Sequence, residues 1–429
     1  MPFDDKDLRP VRGMRDLTPE DYYPMLQVFD KLARVAESFG YLRVETPALE
    51  HYEILKAKAG EDVINEIYYF RDKAGREVGL RFDMTVPVAR VVSYRVDVPK
   101  PIRWYYITKV WRYDEPQHGR YREFHQFGVE LIGSPSVRAD AEVIALGVEA
   151  LKALDIGDFK VRINDRRVID QLLSKLGISN EIRPYVLRIM DKRGKVSAEE
   201  LEKMLTNLGL ARDVSQEVLR LANTVDSFDR VVDLLKELNV SEDFIKYYGD
   251  LLDYLDMYGV RNYLSLDMGI VRGLDYYTGI VFEMYVPDYN LSVGGGGRYD
   301  NLIEIYSGKP TPASGFAMGI ERLLEVLEQR GSLKRGFPQI DYYIYILSND
   351  KSHISLSYRL ASKLRGNGNK VVIDTGERSL RSALEYASKI NVKYFIIIGP
   401  KEISQGVVRV RDMTTWSERD VKLTEFGIS

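Results

Sequence analysis

Two runs rich in aromatic and β-branched residues, Ile102 to Asp114 (IRWYYITKVWRYD) and Arg122 to Gly133 (REFHQFGVELIG), stand either side of the polar segment EPQHGRY. Runs of this composition bounded by turn residues read as strands. The spacing predicts an antiparallel hairpin with a long charged connection, set in a β-rich stretch from Leu80 to Gly133.

The texture on either side differs. Pro19 to Ser38 has helical apolar spacing that ends at Phe39-Gly40, and YLRVETPALE then alternates as a strand that stops at Pro47. From Arg166 onward, RVIDQLLSKLG, EIRPYVLRIMDKRG, SAEELEKMLTNLG, VVDLLKELNV and SEDFIKYYGDLLDYLDMYG are amphipathic helical units, several closed by glycine. Strand texture returns at Tyr263, and GFAMGIERLLEVLEQRG reads as a strand passing into a helix. The first domain is therefore expected to be interrupted and resumed: residues 1–165 and 261–330 form one core around a helical insertion at 166–260. After a linker at 331–339 (GSLKRGFPQ lies across it), residues 340–429 alternate short apolar strands with helices, the pattern of a small α/β domain. A chain of 429 residues exceeds what one hydrophobic core organises, which agrees with several domains.

Composition removes whole classes of chemistry. No stretch approaches the roughly 20 apolar residues of a membrane span, and the start, MPFDDKDLRP, is acidic and polar, unlike a signal peptide. A soluble, cytoplasmic chain is expected. With no cysteine there is no disulfide, thiol nucleophile or cysteine-ligated metal, and four histidines without HExxH spacing argue against a structural metal site. The net charge of −3 is uneven: residues 340–429 hold 14 basic and 10 acidic side chains, so a mildly basic tail domain follows a body at −7. That tail is compatible with touching a polyanion, although a solvated surface has the same composition.

Charged residues in strand-like stretches mark where chemistry could lie. Arg112, Arg120 and Arg122 flank the hairpin connection and would suit phosphate or carboxylate oxygens, or simply solvent. VRGLDYYTGIVFEMY sets Arg272 and Asp275 at the start of a buried-looking strand, as ligand-facing charges or as an exposed strand end. GGGGRYD, Gly294 to Asp300, is neither a P-loop nor a dinucleotide fingerprint; read alone it is a loose turn, or else a place where backbone approaches a ligand closely. Arg322 falls at a strand-to-helix junction.

Taken in order, these segments resemble the class II aminoacyl-tRNA synthetase core: FGYLRVETP is similar to its first motif, VWRYDEPQHGRYREFHQFGVE to its second and ASGFAMGIERLL to its third. RGLDYYTGIVFE and GGGGRYD resemble the two signature peptides of the histidyl-tRNA synthetase family, and the closing α/β domain resembles that group's anticodon-binding domain. The resemblance implies an α+β fold with an antiparallel catalytic sheet. It implies activation of L-histidine with ATP and Mg²⁺, transfer to tRNA(His), and a homodimer formed through the first motif. It places Arg112 and Arg272 at the reacting phosphate, and Asp83, Thr85 and Gln126 at the α-ammonium of histidine. Glu130 and Tyr277, with Tyr276 beside them, fall at the imidazole; Phe124, Arg120 and Arg322 fall around ATP, and Gln117 near the acceptor end of the tRNA. It leaves the metal ligands unassigned. Two other readings share this core: the regulatory subunit of ATP phosphoribosyltransferase, which typically lacks the closing α/β domain, and an RNA-binding protein on a retired core, which would usually have lost a catalytic arginine. Arg112, Arg272 and Arg322 are all present.

Overall fold

The computed structural model describes residues 8–57, 61–95, 97–117, 119–194, 196–271, 276–333, 335–376 and 378–428. The chain divides into two compact units, residues 1–334 and 335–429. No helix among the described residues is long and apolar enough to cross a membrane.

The first unit is built on a nine-stranded sheet. Its spatial order is Leu42–Arg43, Ile102–Trp111, Glu123–Ile132, Ala313–Gly319, Gly294–Arg298, Ile280–Tyr285, Lys160–Asp165, Leu264–Asp267 and Val225–Ser227. The hairpin is antiparallel, with Ile102 opposite Ile132 and Trp111 opposite Glu123. Antiparallel pairing continues through the centre to Lys160–Asp165; the edge strand Leu42–Arg43 pairs parallel with Ile102–Trp111, and Leu264–Asp267 pairs parallel with Lys160–Asp165 and antiparallel with Val225–Ser227.

The helix Pro19–Ser38 begins with proline at its first position, where the missing N–H costs no hydrogen bond. It buries Met25, Val28, Leu32 and Ala36, a stripe at helical spacing, and Gly40 follows with φ +80°. This helix packs against Val137–Ala153, which lies on the sheet and is buried along most of its length. The segment after Arg166 is mostly helical, from Arg166–Lys175 to Glu242–Met257, but also gives the sheet its end strand Val225–Ser227, which the helical reading of the sequence missed; its apolar faces join the same core.

Three expectations from the sequence are corrected. YLRVETPALE is not one strand: only Leu42–Arg43 and Leu49–His51 are extended, and they belong to different sheets. The β-rich stretch contains the helix Thr85–Tyr94. Its valines favour strands, but the Asp83 carboxylate accepts from the Val86 N–H, Pro87 falls in the first turn, and Val86, Val88, Ala89 and Val92 are all buried, so packing overrides propensity. GGGGRYD is not a loose turn; Gly294–Arg298 is a fully buried strand near the centre of the sheet.

The second unit has a five-stranded sheet in the order Val371–Ile373, Ile340–Ile346, Val392–Ile398, Val407–Asp412 and Glu418–Lys422. The first three are parallel and the last two antiparallel. Helices Lys351–Gly366 and Leu380–Lys389 cover opposite faces and bury separate apolar clusters, and Asp350 and Ser379 cap their N-termini by accepting from Ser352 N and Ser382 N. The strand Glu418–Lys422 has no apolar alternation to betray it; it is held at the edge by the pairs Arg409–Asp420 and Arg411–Glu418.

Candidate active site

One cavity on the central sheet gathers most of the residues singled out from the sequence. Asp83, Thr85, Arg112, Arg120, Phe124, Gln126, Tyr276, Tyr277 and Arg322 all line it. They come from the hairpin, from the start of the helix Thr85–Tyr94, from the segment before Ile280 and from the strand-to-helix junction at Gly319. A sheet with this strand order brings these distant pieces together, because Glu123–Ile132 pairs with Ala313–Gly319, which pairs with the glycine strand.

The glycines are what make room. A Cβ on Gly297 would stand 2.9 Å from a Tyr277 ring carbon, and one on Gly315 would overlap the Glu130 carboxylate. A Cβ on Gly128 would strike the Tyr106 hydroxyl. Side chains on these strands would fill the space that the tyrosines and the glutamate occupy.

At one end the cavity is acidic and its polar atoms are only partly used. Glu130 lies behind the cavity wall, fully buried, and accepts hydrogen bonds from Thr85 Oγ1 at 2.8 Å, from Tyr106 OH at 3.3 Å and from Tyr299 OH. Burial pushes its carboxyl up to about 8, against the pull of the hydroxyls of Tyr299 and Thr85. Burial likewise raises Asp83 to about 6, opposed by Arg112 and the Val86 N–H. Asp83 Oδ2 and Gln126 Oε1 are buried without a hydrogen bond among the described residues. Unsatisfied acceptors lining a cavity are costly unless a ligand donates to them.

At the other end it is cationic. Arg112 Nε donates to Phe82 O at 2.9 Å, and its guanidinium lies 5.5 Å from the centre of the Phe124 ring. Arg322 Nε donates to Gly119 O and Nη1 to Ser292 O, at 3.1 and 2.7 Å. Burial, with Arg112 and Arg120 nearby, holds the Arg322 guanidinium below its ordinary value. Arg120 pairs at 3.3 Å with Asp114, another residue of the lining. Neither Arg112 nor Arg322 is paired with a carboxylate among the described residues, so this end suits an anion.

Two sequence-derived residues fall elsewhere. Gln117 is in the hairpin connection, paired through its backbone with Arg120, and does not line the cavity. Arg122, grouped with the other arginines from sequence, is buried and structural: its Nε donates to Asp114 O and its guanidinium lies over Tyr113 at 3.9 Å. Arg272 and Asp275 lie outside the described residues. Sequence reasoning missed Tyr299, Tyr106, Asp114 and Glu321. Glu321 lines the cavity while accepting from the His125 backbone N–H at 2.9 Å and approaching its ring Nδ1 at 3.0 Å. Tyr299 directly follows the glycine run and Arg298, a placement that could have drawn attention to it.

Comparison with known proteins agrees with this geometry. Residues 13–323 match the histidyl-tRNA synthetase family, and residues 341–427 match the anticodon binding domain family. The histidine–tRNA ligase of Pyrobaculum aerophilum is 50% identical over 418 residues, 97% of each chain. The crystal structure of histidyl-tRNA synthetase from Nostoc superposes with a TM-score of 0.80 at 26% identity over 97% of both chains. A Bacillus halodurans protein described as an ATP phosphoribosyltransferase regulatory subunit/histidyl-tRNA synthetase gives 0.78 at 27% identity, over 93% of this chain and 99% of its own. With a family match across most of the chain and half of its residues shared with a histidine–tRNA ligase over nearly the full length of both, the chain belongs to the histidyl-tRNA synthetase family of class II aminoacyl-tRNA synthetases.

Proposed function

We infer that this chain activates L-histidine with ATP and transfers it to tRNA(His), as a histidine–tRNA ligase. The observation that carries this reading is one cavity with the buried acceptors Asp83 and Gln126 at one end and, at the other, Arg112 and Arg322, which pair with no carboxylate among the described residues. Those two ends match the ammonium and side chain of an amino acid and the phosphates of ATP.

In the first step the histidine carboxylate oxygen attacks the α-phosphorus of ATP, and the bond to the β,γ-diphosphate breaks, releasing pyrophosphate. Two anions must approach, so fixed cations at the reacting phosphate lower the barrier. Arg112 supplies one, and Arg272 is assigned the other. Arg322 and Arg120 hold the remaining phosphates and Phe124 stacks on adenine, for which a π-face is sufficient. ATP enters with Mg²⁺ on its phosphates; the described residues contain no cluster of three ligands, and this ion commonly binds through phosphates and water. In the second step a ribose hydroxyl at the 3′ end of the tRNA attacks the adenylate carbonyl, and AMP leaves.

Asp83 and Gln126, with the lone pairs of Thr85, receive the ammonium. Glu130 and Tyr277 read the two ring nitrogens, one able to accept and the other to donate or accept. Tyr276 packs on Tyr277 at 4.8 Å and supports it. A ring without nitrogens would gain no hydrogen bond from these two groups and be rejected. Gln117, on the hairpin connection, is assigned to the acceptor end, and the mildly basic second unit to the anticodon. Residues 166–260 are taken as an insertion in the catalytic unit. A homodimer through the helix Pro19–Ser38 and the strand Leu42–Arg43 would cover Tyr22, Tyr23 and Leu42, which are exposed in the single chain. The cytoplasm, where tRNA is charged, is its expected place.

The test is exchange of labelled pyrophosphate into ATP, run with each amino acid. Exchange should depend on histidine, and Arg272→Ala should slow it about a hundredfold, the usual loss for one transition-state donor. A protein that exchanges with no amino acid, charges no tRNA and instead stimulates ATP phosphoribosyltransferase would be the regulatory paralogue.

A further inference from the structure

The histidine end of the cavity is tied to the helical segment by a buried polar chain that touches no substrate. Asp140, on the helix Val137–Ala153, has no exposed side-chain surface. Arg298, the last residue of the glycine strand, donates to it from Nε at 3.1 Å and Nη2 at 2.9 Å. The other guanidinium bonds go to Ser134 O, Ser136 O and Asp300 Oδ1. Asp140 Oδ2 also accepts from Tyr247 OH at 2.7 Å, and Tyr247 belongs to the helix Glu242–Met257.

Arg298 has its guanidinium away from the cavity, yet its neighbours form the cavity. Gly297 before it makes space for the Tyr277 ring, and Tyr299 after it hydrogen-bonds Glu130. The Arg298 carbonyl accepts from Thr278 N–H at 2.8 Å, one residue past Tyr277, and the Thr278 hydroxyl accepts from Asp300 N–H at 2.9 Å. The helical segment meets the same turn a second time: Arg166 N–H donates to Gly279 O at 3.1 Å. A Cβ on Gly279 would sit 3.3 Å from Arg298 Cδ and 3.6 Å from Arg167 Cζ, and the Arg167 guanidinium lies over the Tyr247 ring at 4.7 Å. Two arginines from different parts of the chain thus close on one glycine two residues after the tyrosine pair.

We propose that Arg298, clamped by Asp140 and Tyr247, is a positioning residue through which the helical segment sets Tyr277 and Tyr299 for recognition of the histidine ring. Rotating the guanidinium out of this clamp would move the strand end that carries both tyrosines. The ATP end, held by Arg112 and Arg322 through Phe82, Gly119 and Ser292, has no member in this chain. The proposal rests on the assignment of Glu130 and Tyr277 to the histidine side chain, Tyr299 entering through its hydrogen bond to Glu130.

The experiment is steady-state pyrophosphate exchange with the full-length chain, varying histidine and ATP separately, alongside thermal melts. Tyr247→Phe removes one hydroxyl 2.7 Å from Asp140 and is expected to raise the histidine KM about fivefold, with the ATP KM within twofold and the melting point nearly unchanged. Arg298→Lys, which cannot reproduce the guanidinium's bonds to Asp140, Ser134, Ser136 and Asp300 together, should raise the histidine KM more than tenfold. A folded Tyr247→Phe protein with wild-type histidine KM overturns the proposal, as does an equal rise in both KM values, which a merely structural role would produce. If Arg298→Lys does not fold, Tyr247→Phe decides alone. Glu130→Gln in the same series separates the two levels: no change there would remove the site assignment itself, whereas a large change there with none in Tyr247→Phe removes only the positioning role.

Discussion

The two units each place a fully paired strand inside a sheet, and the two strands are opposites. Val392–Ile398 buries Val392, Phe395, Ile396, Ile397 and Ile398 on the two faces of its sheet. Gly294–Arg298 is just as buried and contributes almost no side chain. At about 25 cal/mol for each Å² of apolar surface, the first strand stabilises its unit directly. The second gives up that gain and borders a cavity lined by the buried Asp83 instead. Apolar side chains fill one sheet for stability; glycines hollow the other for a ligand.

The contrast can be broken most widely by pH. Glu130 is raised to about 8 in the folded chain, whereas a free glutamate titrates near about 4.3. Between those values the folded state binds the proton that the unfolded state has lost, so the contribution to stability falls as pH rises through that window and levels off above it. At about 1.4 kcal/mol per pH unit the loss reaches several kcal/mol. Glu130→Gln should remove this dependence, melting well above the wild type at pH 9 and close to it at pH 5. Parallel melting curves at the two pH values would refute the buried, protonated acid.

Ile396→Ala probes the filled strand. Removing a buried isoleucine side chain costs about 2–5 kcal/mol. The loss should appear in the melting of residues 335–429, with histidine-dependent exchange within twofold of wild type and tRNA charging reduced near the melting point. An equal fall in exchange would mean that the two units do not melt separately.

Gly297→Ala probes the hollow one with a single methyl group. Its Cβ would meet first the Ile280 carbonyl of the paired strand and then the Tyr277 ring, and misplacing a substrate contact by about 1 Å costs on the order of a hundredfold. Exchange should fall by that factor in a protein that still folds. A variant with normal exchange would show that Tyr277 has slack to move and that the glycine serves the backbone alone.

The sequence was most readable where residue type alone marks the element. The hairpin strands show as aromatic and β-branched runs and the helix Pro19–Ser38 as an apolar stripe at helical spacing, and their placement needed no ligand to explain it. Thr85–Tyr94 was hidden because its valines read as a strand until Asp83 and the surrounding core are seen. The glycine strand was hidden for the reverse reason: its place in the sheet comes from main-chain pairing with Ile280–Tyr285 and Ala313–Gly319, which leaves no mark on residue type. Among site residues, the arginines stood out as charges in β-like stretches. Asp114 and Glu321 did not, because one acid in a polar loop or on a helix is ordinary. Tyr106 and Tyr299 looked like core aromatics, and only their shared hydrogen bonds to Glu130 reveal a second task.

The strand order also sets a timetable for synthesis. Glu123–Ile132 finds its second neighbour only in Ala313–Gly319, with Ile132 opposite Ala313, so the ribosome must add about 180 residues before that edge is covered. At roughly 5–20 residues per second the wait is about 10–40 s, during which FGVELI presents unpaired backbone and apolar side chains to the cell. The second unit, made last, has its strands within residues 340–422 and avoids any comparable delay. For this protein the hazardous period of biogenesis therefore belongs to the half-finished catalytic sheet, and a chaperone that helps it would be needed before the final hundred residues emerge.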